Sequence, residues 1–192
     1  LMYWQVYLHK TSVAAEKMLV NILKRAKELA AQGAVLFGSP ALCYFLYQNI
    51  DNKAFINVKA SVENFTLLDD ADLICAIKVW MTHEDIVLST LCRNFINRHL
   101  FKVEISTEPI SQEKLDQFTK QYAAHFNISP HEAQYFMGDE LVGTDTYSPE
   151  DDNINILFKD GTVKDIVDAS DMLNITVLTK KVEKHFFCYY KI

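Results

Sequence analysis

The chain has 192 residues, 49% of them apolar, and a formal net charge of −6. That is enough apolar content for one large domain or two small ones. No run of 18 apolar residues is present, which excludes a membrane-spanning helix, and no signal-peptide pattern precedes the first predicted helix. The charge is unevenly placed: residues 1–99 are nearly neutral, whereas 100–192 carry 9 Lys and Arg against 16 Asp and Glu. Non-specific nucleic-acid binding needs a basic face, so this distribution argues against a nucleic-acid partner. Cys43, Cys75, Cys92 and Cys188 stand far apart inside apolar runs. They predict buried free thiols in a reducing, cytoplasmic setting rather than a disulfide or zinc framework.

The period of the first stretch predicts an amphipathic helix over Tyr3 to Leu29. Tyr3, Val6, Tyr7, Val13, Ala14, Met18, Leu19, Ile22, Leu23, Ala26 and Leu29 recur at three- and four-residue steps, and Lys17, Asn21, Lys24, Arg25 and Glu28 fill the other side. On such a helix Tyr7 and Lys10 fall on neighbouring faces and His9 points the other way. No Ser, Thr or Asp cap stands ahead of this helix, and we expect the chain to be the C-terminal part of something longer.

A short apolar helix is predicted over Ala41 to Tyr47, followed by a polar break from Asn49 to Lys53. Ser61 is expected to cap a helix over Val62 to Leu68. Asp69, Asp70 and Asp72 then suit the positive end of a helix over Ala71 to Thr82, with Leu73, Ile74, Ile77 and Trp80 buried. His83-Glu84-Asp85 starts another, with Ile86, Leu88, Leu91, Phe95 and Ile96 as its core. The period changes to alternation at Leu100 to Ser106, a strand. A helix from Gln112 to Phe126 follows, with Leu115, Phe118, Tyr122 and Phe126 on one side. A strand is expected around Gln134 to Met137, an acidic loop over Gly143 to Asn153, and a strand over Ile154 to Phe158 ending at the Asp160-Gly161 turn. Short helices are expected between Val163 and Leu178, and an aromatic strand over Lys184 to Lys191. The expected fold class is α+β: an all-helical half over residues 1–99, then a small α+β lobe over 100–192 with a mostly antiparallel sheet and helices on one face.

Familiar catalytic signatures are absent: no Gly-rich phosphate loop, no His-Glu-x-x-His, no Gly-x-Ser-x-Gly and no adjacent His-Asp pair. His83-Glu84-Asp85 and the Asp69–Asp72 cluster read as helix starts, and the six histidines are not at metal-ligand spacings. Two features stand out. Tyr7, His9 and Lys10 place a phenol, an imidazole and an ammonium within four residues, a set that can grip a polyphosphate. An interfacial Tyr beside a snorkelling Lys explains the same residues. Arg98 and Lys102 bracket the Leu100-Phe101 anchor, where two cations can hold an anion or simply be solvated.

Three stretches in this order resemble the HD-domain phosphohydrolases, in particular their deoxynucleoside triphosphate triphosphohydrolase (dGTPase-like) branch. They are Val6-Tyr7-Leu8-His9-Lys10 running on to Leu19, Phe65-Thr66-Leu67-Leu68-Asp69-Asp70, and Asn97-Arg98-His99-Leu100-Phe101-Lys102-Val103. The resemblance makes residues 1–99 the C-terminal part of an HD-type helical domain. It implies a substrate-binding role for Tyr7 and a regulatory nucleotide-binding role for His9, Lys10, Arg98 and Lys102. It also implies a divalent metal such as Mn, Mg or Fe in the full-length protein, held by a His, a His-Asp pair and an Asp upstream of the Tyr-x-His-Lys run. Those ligands are not in this sequence, so we expect no metal and no catalytic residue in this chain, and no activity from it alone.

The expected function is therefore that of the C-terminal part of a metal-dependent HD-domain phosphohydrolase acting on nucleotides. Its expected partners are the N-terminal HD half, a nucleotide and further copies of itself in a homo-oligomer, with no membrane involved. The alternative is a non-catalytic protein-interaction or oligomerisation module.

Overall fold

The computed structural model describes Val6 and residues 8–144, 155–165 and 182–192. Among the described residues helix α1 spans Lys10–Ala31; the predicted start at Tyr3 lies outside them. His9 is extended (φ −64°, ψ 136°) and is the N-cap, its Nδ1 accepting from Thr11 N at 3.3 Å. The expectation of an uncapped helix through His9 is thus corrected, and with it the argument from opposed helical faces. The other end follows the sequence closely. Gly33 takes the left-handed conformation (φ 94°), and Ala34 N reaches back to Leu29 O at 2.9 Å, closing the last turn.

α2 (Pro40–Tyr47) is capped by Ser39 and α5 (Asp70–Trp80) by Asp69, whose carboxylate and that of Asp72 form a reciprocal capping box. Between them lie α3 (Asn52–Asn57), which begins inside the polar break expected over Asn49 to Lys53, and α4 (Lys59–Thr66). Ser61 is no cap. It is buried inside α4, its Oγ 3.1 Å from Tyr44 Oη. α6 (Ile86–Ile96) starts at Asp85, as His83-Glu84-Asp85 suggested, and buries Val87 to Cys92 while leaving Ile86 exposed.

The sheet is antiparallel in the order β1-β5-β2, formed by β1 (Lys102–Ser106), β5 (Val182–Tyr189) and β2 (Met137–Thr144). The last strand of the chain is therefore the central one. Alternation along β5 divides the residues between two faces. Phe187 and Tyr189 meet Phe118 of α7 (Gln112–Phe126), with ring centroids 5.3 and 5.0 Å apart. On the opposite face Gly138 of β2 lies against the far end of the Lys17 side chain from α1. Helices thus cover both faces, where one face was expected. Tyr122 is fully buried, and its hydroxyl donates to Tyr190 O at 2.6 Å, fixing α7 to the end of β5.

Gln134 to Met137 was expected as a strand. It is instead a 3-10 turn over Gln134–Phe136, directly after α8 (Pro130–Ala133), and the first residue of β2. Val163–Asp165 is a strand, β4, rather than a helix start; it pairs with β3 (Asn155–Leu157) around Gly161 at φ 85°. The helices expected beyond Asp165 and the acidic loop beyond Thr144 lie outside the described residues.

The α+β class stands. One apolar cluster runs from Val13, Met18 and Ile22 of α1 through Ile77, Trp80 and Leu91 to Phe136, Phe186 and Cys188. Each fully buried large side chain in it contributes about 1.5–3 kcal/mol. Cys92 and Cys188 are buried as expected, whereas Cys75 is exposed and Cys43 half-buried. Burial pushes the Cys92 thiol up to about 12 and that of Cys188 up to about 11. Among the described residues no helix is long and apolar enough to cross a membrane.

Candidate functional site

The start of α1 lies beside the start of β1. Lys10 and Thr11 form one wall of a cavity of about 310 Å³; residues 100–103 and Tyr189 form the rest. Leu100 and Phe101 lead from α6 into the sheet, and burial of Phe101 fixes where the exposed Lys102 emerges. Lys102 pairs with Tyr189 in the β1–β5 register. Lys10 and Lys102, 92 positions apart in sequence, therefore line the same cavity. Neither makes an ion pair among the described residues. Two unpaired ammonium groups beside the positive end of a 22-residue helix favour an anion. Burial and the neighbouring Glu104 carboxylate hold the Tyr189 phenol above its usual range, so it is a neutral hydroxyl at this wall.

His9 and Arg98 are placed differently. The His9 imidazole is exposed and engaged in capping α1, and His9 is not among the residues lining this cavity. Arg98 stands just past the end of α6 in the left-handed conformation, φ 58°. Its N–H donates to Phe95 O at 3.1 Å, and His99 N donates to Asn94 O at 2.8 Å, the hydrogen-bond pattern usually built around glycine. A non-glycine residue there costs on the order of 1 kcal/mol. Arg98 is exposed and also lies outside the cavity lining. Tyr7 lies outside the described residues.

Sequence periodicity assigned Asn21 and Arg25 to the polar face of α1, yet both are only 4% exposed. Arg25 joins three elements. Its Nε and Nη2 donate to the two Asp85 oxygens at 3.2 and 2.5 Å, Nη2 to Glu132 at 2.7 Å, and Nη1 to Glu28 at 2.8 Å. Tyr135 adds its ring, 5.7 Å from the guanidinium carbon, and donates its hydroxyl to Glu28 at 2.8 Å. Burial would lower the Arg25 pKa, but the hydrogen bonds to Asp85 and Glu28 carry it above its ordinary value. Asn21 donates its amide to Tyr135 O at 2.8 Å and Met137 O at 3.4 Å. The missed signal was positional: 21 and 25 follow Met18 at i+3 and i+7, in phase with the apolar stripe.

Among the described residues no group of three or more His, Cys, Asp or Glu side chains is placed to hold a metal ion. His83 and Asp85 are committed locally, the Nδ1 of His83 to Asp85 N and the Asp85 carboxylate to Leu88 N and Arg25.

No family model matches the chain. A crystal structure described as a phosphohydrolase from Bacteroides thetaiotaomicron is 52% identical and matches with a TM-score of 0.86, over 99% of this chain and 47% of that one. An uncharacterized protein of Bacillus subtilis, YwfO, is 38% identical over 101 residues, 53% of this chain and 21% of its own length. The chain thus spans less than half the length of the solved relative.

Proposed function

We propose that the chain is the C-terminal part of a metal-dependent HD-domain phosphohydrolase acting on nucleotides, of the deoxynucleoside triphosphate triphosphohydrolase type. The observation that carries this reading is the likeness over 99% of the chain to a protein described as a phosphohydrolase. In this reading Tyr7 contacts substrate. Lys10 and Lys102, which share a cavity, bind the phosphates of a regulatory nucleotide, with His9 and Arg98 joining when that ligand or a second copy of the protein is present. In this reading the metal is held by residues upstream of the Tyr-x-His-Lys run, as the sequence resemblance implies. The same reading assigns no hydrolytic step to this chain and holds it inactive alone.

The test compares the 192-residue chain with a full-length protein containing it. The longer protein should bind Mn²⁺ or Mg²⁺ and hydrolyse deoxynucleoside triphosphates; the chain alone should do neither. Tyr7→Phe should weaken turnover, and Lys10→Glu with Lys102→Glu should reduce nucleotide activation while sparing the fold. A full-length protein with no metal-dependent phosphohydrolase activity would favour the non-catalytic interaction module. That second reading has its own support in the exposed Ile56, Val62, Phe65 and Leu67 of the α3–α4 region.

A further inference from the structure

The sheet ends on β2, which pairs with β5 on one side and, among the described residues, with no strand on the other. One hydrogen bond shows which of its backbone groups point outward. Tyr190 N donates to Phe136 O at 2.8 Å, one step before the Met137–Tyr189 pair of the register. Bonded residues alternate along an antiparallel ladder. Gly138, Glu140 and Val142 therefore bond to β5, while Met137, Asp139, Leu141 and Gly143 turn their N–H and C=O groups away from it. Met137 agrees with that assignment, because its carbonyl accepts from the Asn21 amide of α1 at 3.4 Å. The outward backbone groups of Asp139, Leu141 and Gly143 make no hydrogen bond among the described residues.

An open edge is a template for another strand, and proteins commonly blunt theirs with Pro, Lys or a bulge. β2 has none of these, and its register with β5 runs unbroken from Met137 to Thr144. Its two carboxylates are held by their own chain, Asp139 Oδ2 by His185 Nδ1 at 2.8 Å and Glu140 by Lys17. Leu141, by contrast, is 56% exposed. Helix α1 does not close the edge, since a cavity of about 570 Å³ lies between its Val13 and Val20 and residues 140–143.

The order of side chains selects the occupant. Turned about a two-fold axis at Leu141, a second β2 sets Leu141 against its own copy, Asp139 against Gly143 and Glu140 against Val142. No two like charges then face each other. An axis at Glu140 would oppose two carboxylates, and an axis at Val142 would carry the pairing past the end of the strand at Thr144. With the axis at Leu141, each outward residue meets an outward residue, and every such pair can exchange two hydrogen bonds. The edge is thus complementary to itself, as a two-fold contact requires.

We propose that two copies of the chain pair antiparallel through β2, with the two-fold axis at Leu141, and so join two three-stranded sheets into one.

The experiment is sedimentation of the 192-residue chain over a range of concentrations, with three variants. Wild type should show a monomer–dimer equilibrium. Leu141→Lys sets an ammonium opposite its own copy and removes an apolar contact from both strands. It should weaken the dimer about tenfold or more, with the circular dichroism and melting of the monomer unchanged. Leu141→Cys, in a chain with Cys43 and Cys75 replaced by Ala, should form an intermolecular disulfide on oxidation. The Cα atoms of a bonded antiparallel pair lie about 5.5 Å apart, within disulfide reach. Gly143→Cys in the same background should not, because the proposed register sets it about 13 Å from its own copy. If Leu141→Lys unfolds the chain, the two cysteine variants decide. A chain that stays monomeric throughout, a dimer indifferent to a folded Leu141→Lys, or cross-linking through Gly143→Cys as readily as through Leu141→Cys would each overturn the proposal.

Discussion

Arg25 is the residue on which the most geometry converges. Its guanidinium lies inside a ring of three carboxylates, from Glu28 on its own helix, Asp85 at the cap of α6 and Glu132 in α8. Replacing it by Ala leaves those carboxylates facing one another with no cation between them. Arg25→Ala should cost about 3–5 kcal/mol, the usual penalty for removing one partner from a buried ion pair, measurable by urea unfolding. Glu132 gives the same cluster a pH dependence. Hydrogen bonds from Ser129, first from its backbone and then from its hydroxyl, followed by Arg25, hold its carboxyl below the ordinary carboxylate range. A carboxylate with a lowered folded pKa stabilises the fold above its unfolded pKa of about 4.3, and that contribution fades as the pH falls through the lower folded value. Between neutral pH and about pH 3, the melting temperature of wild type should therefore fall more steeply than that of Glu132→Gln. None of this was legible from charge alone. Polar identity placed Arg25 on a solvated face, whereas its position in the helical repeat, three residues after Ile22, placed it in the core.

At the scale of elements, the helices with side-chain caps and the aromatic strand were the legible parts. The Asp69–Asp72 box, the Asp85 cap and the Gln112–Phe126 period each act within one helix, so local chemistry decides them. The failures occurred where a distant partner decides. Ser61 looked like a cap because nothing nearby showed that Tyr44 would claim its hydroxyl. Gln134 to Phe136 looked extended, although Ser129 and Glu132 spell the capping box that starts the turn before them. Gly138 shows how closely two elements meet. A methyl group added there would clash with the far end of Lys17, the side chain whose ammonium binds Glu140 across the α1–β2 contact. Gly138→Ala can be met by moving that flexible tip, at the expense of the ion pair. Gly138→Val adds bulk the stem cannot avoid and should cost about 1–3 kcal/mol, the usual range for overpacking. If the two variants unfold at the same urea concentration, Lys17 does not cross β2 as closely as described.

For the molecule as a whole, composition suggested a nearly neutral helical half and an acidic lobe meeting near residue 100. Packing joins these two stretches. α1 lies on the sheet through Lys17 and Asn21, Arg25 bridges α6 and α8, and the apolar cluster continues from Trp80 into Phe186 and Cys188. When so much of the buried contact crosses a boundary, neither side retains its core if the other opens. Unfolding should therefore be one transition. Trp80, 1% exposed in α5, reports on the helical stretch by fluorescence once Trp4 has been replaced by Phe. Cys188, fully buried in β5, reports on the lobe through thiol labelling once Cys43, Cys75 and Cys92 have been replaced by Ala. We expect both probes to give the same urea midpoint, and Arg25→Ala to move them together. Two separated midpoints, or a shift confined to one probe, would mean that the contacts around Arg25 and Asn21 do not couple the helices to the sheet.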